Sequence, residues 1–197
     1  MAESSPVRAF IAIKLPEAVR RELEGLQVRL AVEPEKGIKW VSPQGIHLTL
    51  KFLGWVAPKR IDDIKSAVAE AVRPFEPFEL GLSGLGGFPN LRRLNVVWCG
   101  LSGDLDRLLE LQRSVEAKVA PLGFPTEKRA FSPHLTLARM REDVAPDARE
   151  KLSKKLAEMQ YRPGLSIPVD AVSLMQSHLL PSGAIYTEAG RFPLAAT

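Results

Sequence analysis

Residues 7–15, Val-Arg-Ala-Phe-Ile-Ala-Ile-Lys-Leu, are dense in β-branched and aromatic side chains and stop at Pro16, a pattern that predicts a strand. Val19, Leu23, Leu26 and Leu30 then recur at helical spacing among charged residues, with Pro16 beside the helix start, where a missing N–H costs nothing. Residues 38–41 and 46–55 read as extended. A second helix opens near Pro58, buries Ile61, Ile64, Val68 and Val72, and ends at Pro74 and Pro77. Residues 78–85 read as a strand running into a Gly86-Gly87 turn. A strand over 94–101 follows, then a helix carrying Leu105, Leu108, Val115 and Val119 on one face. Residues 131–140 are extended. A fourth helix carries Val144, Ala148, Leu152, Leu156 and Met159, with Pro146 near its start. Residues 165–175 read as one extended segment, and 184–187 as a short last strand.

The order β-α-β-α-β occurs twice, and the two copies keep register. The offset is 134 − 47 = 87 between His47 and His134, 101 − 15 = 86 between the strand ends Leu15 and Leu101, and 146 − 58 = 88 between the helix starts Pro58 and Pro146. A common offset at three landmarks predicts an internal repeat of one supersecondary unit. We expect an α+β fold in which residues 1–197 form a single bilobal domain, with repeat halves near 7–88 and 92–190.

The chain is 45% hydrophobic and 25% charged, as ordinary globular domains are, and contains no apolar run near the roughly 18 residues that would span a bilayer. No secretory signal is evident at the N-terminus, and a single cysteine, Cys99, excludes an internal disulfide, so a cytoplasmic location is the default expectation. The formal charge of +4 suits an anionic partner without demanding one. The basic pairs Arg92-Arg93 and Lys128-Arg129 either steer a polyanion or sit on solvated turns.

The chemistry concentrates in Ile46-His-Leu-Thr-Leu50 and Pro133-His-Leu-Thr-Leu137. Alternation along a strand puts His47 with Thr49, and His134 with Thr136, on one face, and the leucines on the other. Two imidazoles facing one cleft suit phosphodiester hydrolysis: in-line displacement needs one proton taken from the attacking oxygen and one given to the leaving oxygen, and histidine does both near neutral pH. The threonine hydroxyls can donate to phosphate oxygens. Arg139 can add a charge-assisted contact, but its odd spacing from His134 puts it nominally on the leucine face, so a bulge or strand end must re-aim it. Trp40 either stacks a base or belongs to the core, the latter favoured by its alternation with Lys39. Neither histidine has a nearby His, Cys or carboxylate at zinc spacing, so no metal and no cofactor are expected. Cys99, in an apolar strand, reads as packing, and residues 84–87 read as a turn rather than a phosphate loop.

At these residues the chain resembles the 2H phosphoesterase superfamily, and within it the bacterial and archaeal RNA 2',3'-cyclic phosphodiesterases, historically named 2'-5' RNA ligases. The resemblance rests on Arg8-Ala-Phe-Ile-Ala-Ile13, Ile38-Lys-Trp-Val41, the two histidine motifs with their flanks, Ser173-Leu-Met-Gln-Ser177 and Tyr186. It implies two antiparallel sheets flanking a central cleft, a metal-independent monomer, and RNA ends bearing a 2',3'-cyclic phosphate as substrate. It implies His47 as proton donor and His134 as proton acceptor, with O3' leaving to give a 2'-phosphate. Tyr186 joins Trp40 as a candidate at the substrate, while His178 is expected at the surface or rim. Ligation of 2',5' ends at the same site, and a module that binds RNA ends without turnover, are the alternatives.

Overall fold

A computed structural model gives the fold of residues 5–180 and 183–195, without the side chains of 179, 180, 183 and 184. In chain order the elements are β1 (Val7–Lys14), α1 (Glu17–Leu30), β2 (Ile38–Trp40), β3 (His47–Val56), α2 (Ile61–Val72), β4 (Phe78–Phe88), β5 (Val96–Gly103), α3 (Leu105–Val119), β6 (His134–Met140), α4 (Pro146–Glu158), β7 (Ser166–Val169), β8 (Ala171–Leu180) and β9 (Gly183–Pro193). The strands form a four-stranded sheet in the order β3-β1-β8-β9 and a five-stranded sheet in the order β2-β6-β5-β4-β7, with every pairing antiparallel. The fold is therefore α+β with two antiparallel sheets, as expected. Among the described residues no helix is long and apolar enough to cross a membrane.

The sheets do not coincide with the sequence halves. β4, from the first half, pairs with β5 in the five-stranded sheet, while β8, from the second half, pairs with β1 in the four-stranded one. Each sheet thus combines a histidine strand and its neighbour from one half with two strands from the other, β8 and β9 in the four-stranded sheet and β2 and β4 in the five-stranded one. The helical faces predicted from periodicity are the buried ones: Val19, Leu23, Leu26 and Leu30 on α1, and Ile61, Ile64, Val68 and Val72 on α2. They meet Ile11 and Ile13 of β1, Leu48 of β3 and Leu135 of β6 in one core. Full burial of such a side chain contributes roughly 1.5–3 kcal/mol, so the leucines of the histidine motifs are anchors. A second, small cluster of Phe10, Ala12 and Met175 lies on the other face of the four-stranded sheet, with Tyr186 against it.

Three elements depart from expectation. Residues 84–87 are not a turn: β4 runs through them, pairing Gly86 with Trp98 and Gly87 with Val97. The glycines are there for close approach, since a Cβ on Gly86 would lie 2.3 Å from the Trp98 ring and one on Gly87 2.1 Å from Leu94 Cδ1. The extended segment over 165–175 is two strands broken at Asp170, β7 in the five-stranded sheet and β8 in the four-stranded one. The last strand is long rather than short, because β9 pairs along the full length of β8.

Candidate active site

His47 begins β3 and His134 begins β6, and their surroundings repeat. Over 47–52 and over 134–139 the pattern of exposure is the same: histidine and threonine half-buried, then two successive buried residues, then an exposed one. Two consecutive buried positions mark a bulge, and the registers locate it. On β3, Ala12 faces Thr49 but Ile11 faces Lys51, leaving Leu50 out of the pairing; on β6, Trp98 faces Thr136 but Val97 faces Ala138, leaving Leu137 out. A bulge inverts which face the following residues occupy. Arg139 therefore pairs with Val96 and joins Trp98, Thr136 and His134 on one face. The re-aiming that its spacing required is supplied by the backbone. On the other strand the same shift puts Phe52 opposite Phe10, on the face of His47 and Thr49.

The two imidazoles have different neighbours. His47 stacks on Phe10 (ring centroids 4.5 Å apart) and meets the edge of Tyr186 at 5.3 Å. Burial among these rings disfavours its charged form and lowers its pKa to about 4, against the upward pull of a backbone hydrogen bond at Gly45. His134 meets the edge of Phe88 at 5.0 Å, and its Nδ1 lies 2.7 Å from the Ser132 carbonyl oxygen. A carbonyl only accepts, so Nδ1 carries the proton and neutral His134 keeps its lone pair on Nε2.

Buried polar contacts hold the two histidine strands together, and Cα atoms of β3 and β6 approach within 8 Å. The Val41 N–H, just ahead of His47, donates to the Leu137 carbonyl at 2.9 Å. Lys51 of β3, 3% exposed, donates to Glu116 of α3 at 3.0 Å and to the Pro125 carbonyl, ahead of His134, at 2.6 Å. The Glu127 N–H completes this node on Glu116 at 3.2 Å. Two surface hollows, of about 270 and 310 Å³, are lined by neither histidine; the larger includes Lys14, the cross-strand partner of His47.

A profile of the 2'-5' RNA ligase superfamily matches residues 15–179, a span that includes both histidine strands. The chain belongs to this superfamily. Among members of known identity it is 37% identical, over 95% of its length and 99% of the relative's, to an RNA 2',3'-cyclic phosphodiesterase of Methanothermobacter thermautotrophicus. A namesake from Thermus thermophilus is 34% identical over 95% of this chain and 90% of its own. The crystal structure of E. coli LigT complexed with 3'-AMP superposes with a TM-score of 0.75 at 27% identity, covering 96% of this chain and 99% of that one.

Within this superfamily frame, the expected residues divide. His47, Thr49 and Tyr186 gather on the four-stranded sheet, and His134, Thr136 and Arg139 on the five-stranded one. Trp40 does not join them. It pairs with Ala138 on the core side of β6, half-buried at the edge of the core, and its Nε1 donates to Glu35 at 3.0 Å. His178 is exposed on β8, with Nε2 3.0 Å from the Thr187 hydroxyl oxygen. Cys99 is buried, which pushes its thiol up to about 12 and leaves it no thiolate for nucleophilic work. Arg92, Arg93, Lys128 and Arg129 are all exposed. Sequence reasoning missed Phe10 and Phe88, which meet the imidazoles, Trp98 behind Phe88, and the buried Gln27, Lys51, Gln112 and Glu116. The aromatic residues gave no signal inside apolar runs, and the buried polar ones read as solvent-facing.

Proposed function

We propose that this chain hydrolyses the 2',3'-cyclic phosphate at an RNA end to a 2'-phosphate, by two-histidine acid–base catalysis without a metal. The observation that carries this reading is the repeated bulged strand, which puts a histidine and a threonine together on one face of each sheet, on two strands whose Cα atoms come within 8 Å. His134 Nε2 takes a proton from water, whose oxygen attacks phosphorus. The P–O3' bond breaks, and His47 delivers a proton to O3', leaving a 2'-phosphomonoester and a 3'-hydroxyl. Solvent returns His134 and His47 to their starting states. The proton on Nδ1 of His134 suits it as acceptor. His47, neutral in the ligand-free chain near pH 7, is loaded for its donor role by the anionic phosphate, which offsets the burial that keeps it neutral. Thr49, Thr136 and Arg139 donate to the non-bridging oxygens as charge builds.

Attack by an RNA 5'-hydroxyl in place of water would form a 2',5' bond through the same steps, so the superfamily's ligase name fits the same site. Both histidines come from one chain, and the sheets exchange strands. These features support a single bilobal domain that acts as a monomer, and we place it in the cytoplasm. The test is a short RNA with a 2',3'-cyclic phosphate end, incubated with EDTA and followed by phosphorus NMR. A 2'-phosphate is expected. A dominant 3'-phosphate would refute the donor and acceptor assignments, and absence of turnover would leave a binding module.

A further inference from the structure

The two bulges are each gripped by a glutamine from a helix that follows a strand of the other sheet, α1 after β1 for the bulge on β6 and α3 after β5 for the bulge on β3. Gln27 of α1 is buried, and its amide donates to the Leu137 carbonyl at 2.9 Å and to the Val41 carbonyl at 2.7 Å. Gln112 of α3 is equally buried, and its amide donates to the Leu50 carbonyl at 3.5 Å and to Glu116 Oε1 at 3.3 Å. Leu50 and Leu137 are the two residues left out of pairing, each three positions after its histidine. The glutamines lie 112 − 27 = 85 positions apart, close to the repeat offset.

A buried carbonyl needs a donor, and leaving one unmet costs about 1–3 kcal/mol. The Leu137 carbonyl also accepts from the Val41 N–H, so on that strand Gln27 adds a second donor and ties the bulge to the Val41 carbonyl, whereas Gln112 serves the Leu50 carbonyl. The bulge is what decides the face of the fifth residue after each histidine. Without it, period-two alternation would send Arg139 and Phe52 into the core side of their sheets. Neither glutamine lies on a histidine strand, so neither is placed to touch substrate. We propose that Gln27 and Gln112 are positioning residues: Gln27 fixes the bulge that aims Arg139 at the site, and Gln112 fixes the one that aims Phe52. This rests on the phosphodiesterase reading, because Arg139 and Phe52 matter to turnover only if the faces they join are the reactive ones.

The experiment is a pair of double-mutant cycles read by kcat and KM on a cyclic-phosphate-ended RNA at 25 °C, with Tm measured in parallel. Gln27→Met, which keeps the volume and removes the donor, should lower kcat/KM roughly ten- to a hundredfold, the scale of a misplaced catalytic contact. In an Arg139→Ala background it should cost less than threefold, because the group it aims is gone. Gln112→Met should couple in the same way to Phe52→Ala, and each glutamine should be additive with the other strand's fifth residue. Ser114→Ala, which removes a helix hydrogen bond to the Ala71 carbonyl away from the site, controls for lost stability alone. Loss of Tm with kcat/KM unchanged, or additivity in both matched cycles, overturns the proposal while the phosphodiesterase reading stands. If Gln27→Met does not fold, the Gln112 cycle decides alone. A wild-type chain without turnover overturns the underlying reading and this inference with it.

Discussion

His47 is wedged between the face of Phe10 and the edge of Tyr186, whereas His134 has an aromatic edge at Phe88 and a carbonyl on Nδ1. The strands that carry them are otherwise copies, with the same bulge at the same step and the same order of buried and half-buried positions. The same backbone solution, a bulge three residues after a histidine, is used on both strands. What differs between the two histidines lies in the parts that are not copied. Lys51, buried in an ion pair, stands where the other strand has Ala138, and Phe52 where it has Arg139. One half therefore lines the site with rings and a nearly neutral histidine, the other with a guanidinium and a histidine of fixed tautomer. In the proposed mechanism that difference is what would set donor against acceptor, since the backbone of the two strands is alike.

The strongest way to break this comparison is to remove each imidazole. His47→Ala and His134→Ala should each lower kcat by about 10²–10⁴-fold, since each carries one proton transfer. The double variant should be little worse than the worse single, because both serve one step. Steady-state kinetics on a cyclic-phosphate-ended RNA check this. A single variant that retains near-wild-type kcat would show that one histidine suffices.

A second measurement isolates the burial of His47. Its pKa in the folded chain is about 4, against 6.5 for an unburied imidazole. The unfolded chain therefore binds the proton first as pH falls. Stability from neutral His47 is present above pH 6.5 and is lost as pH drops through the window down to about 4. Half-burial tempers the full shift, so the expected loss is on the order of 2 kcal/mol. Urea unfolding at pH 7 and pH 4 should show that much more loss in the wild type than in His47→Leu, which has nothing to titrate there. Equal losses would mean that His47 titrates normally and that the two histidines are not differentiated by burial.

Much of this site was legible before any coordinates, because an identical tetrapeptide at the repeat offset is a sparse and specific signal. The helices were legible too, since an amphipathic period survives tertiary packing. What stayed hidden has physical causes. Ala9-Phe-Ile-Ala-Ile13 is apolar on both faces, so alternation has no contrast, and nothing in it tells that Phe10 lies under His47 while Ile11 enters the core. Lys51 and Glu116 look like solvent-facing charges and are instead a buried pair whose partners lie 65 positions apart. The bulges are equally silent, because Leu50-Lys51 continues an apparent in-out rhythm. Asp170 separates two strands of different sheets, and Pro168 two residues earlier does not mark the break because it sits inside β7 and pairs with Glu79.

The smallest effect is the most sensitive probe of symmetry. Thr49 and Thr136 occupy matched positions, both half-buried, one opposite Ala12 and the other opposite Trp98. Valine keeps the β-branch and the volume, so Thr49→Val and Thr136→Val should leave the strands in place and remove only a hydroxyl. A hydrogen bond to a charged acceptor contributes roughly 1.5 kcal/mol at the low end, which is about a tenfold loss in kcat/KM. That is less than removal of a proton carrier, because the phosphate keeps its other donors. If the phosphate sits evenly between the repeats, the two losses should agree within about threefold. If Thr136→Val costs at least tenfold more than Thr49→Val, the phosphate leans toward the strand that also carries Arg139, and the asymmetry extends from proton transfer to anion binding. Wild-type kcat/KM in both variants would remove the threonines from the site, leaving the histidines and Arg139 to bind the phosphate.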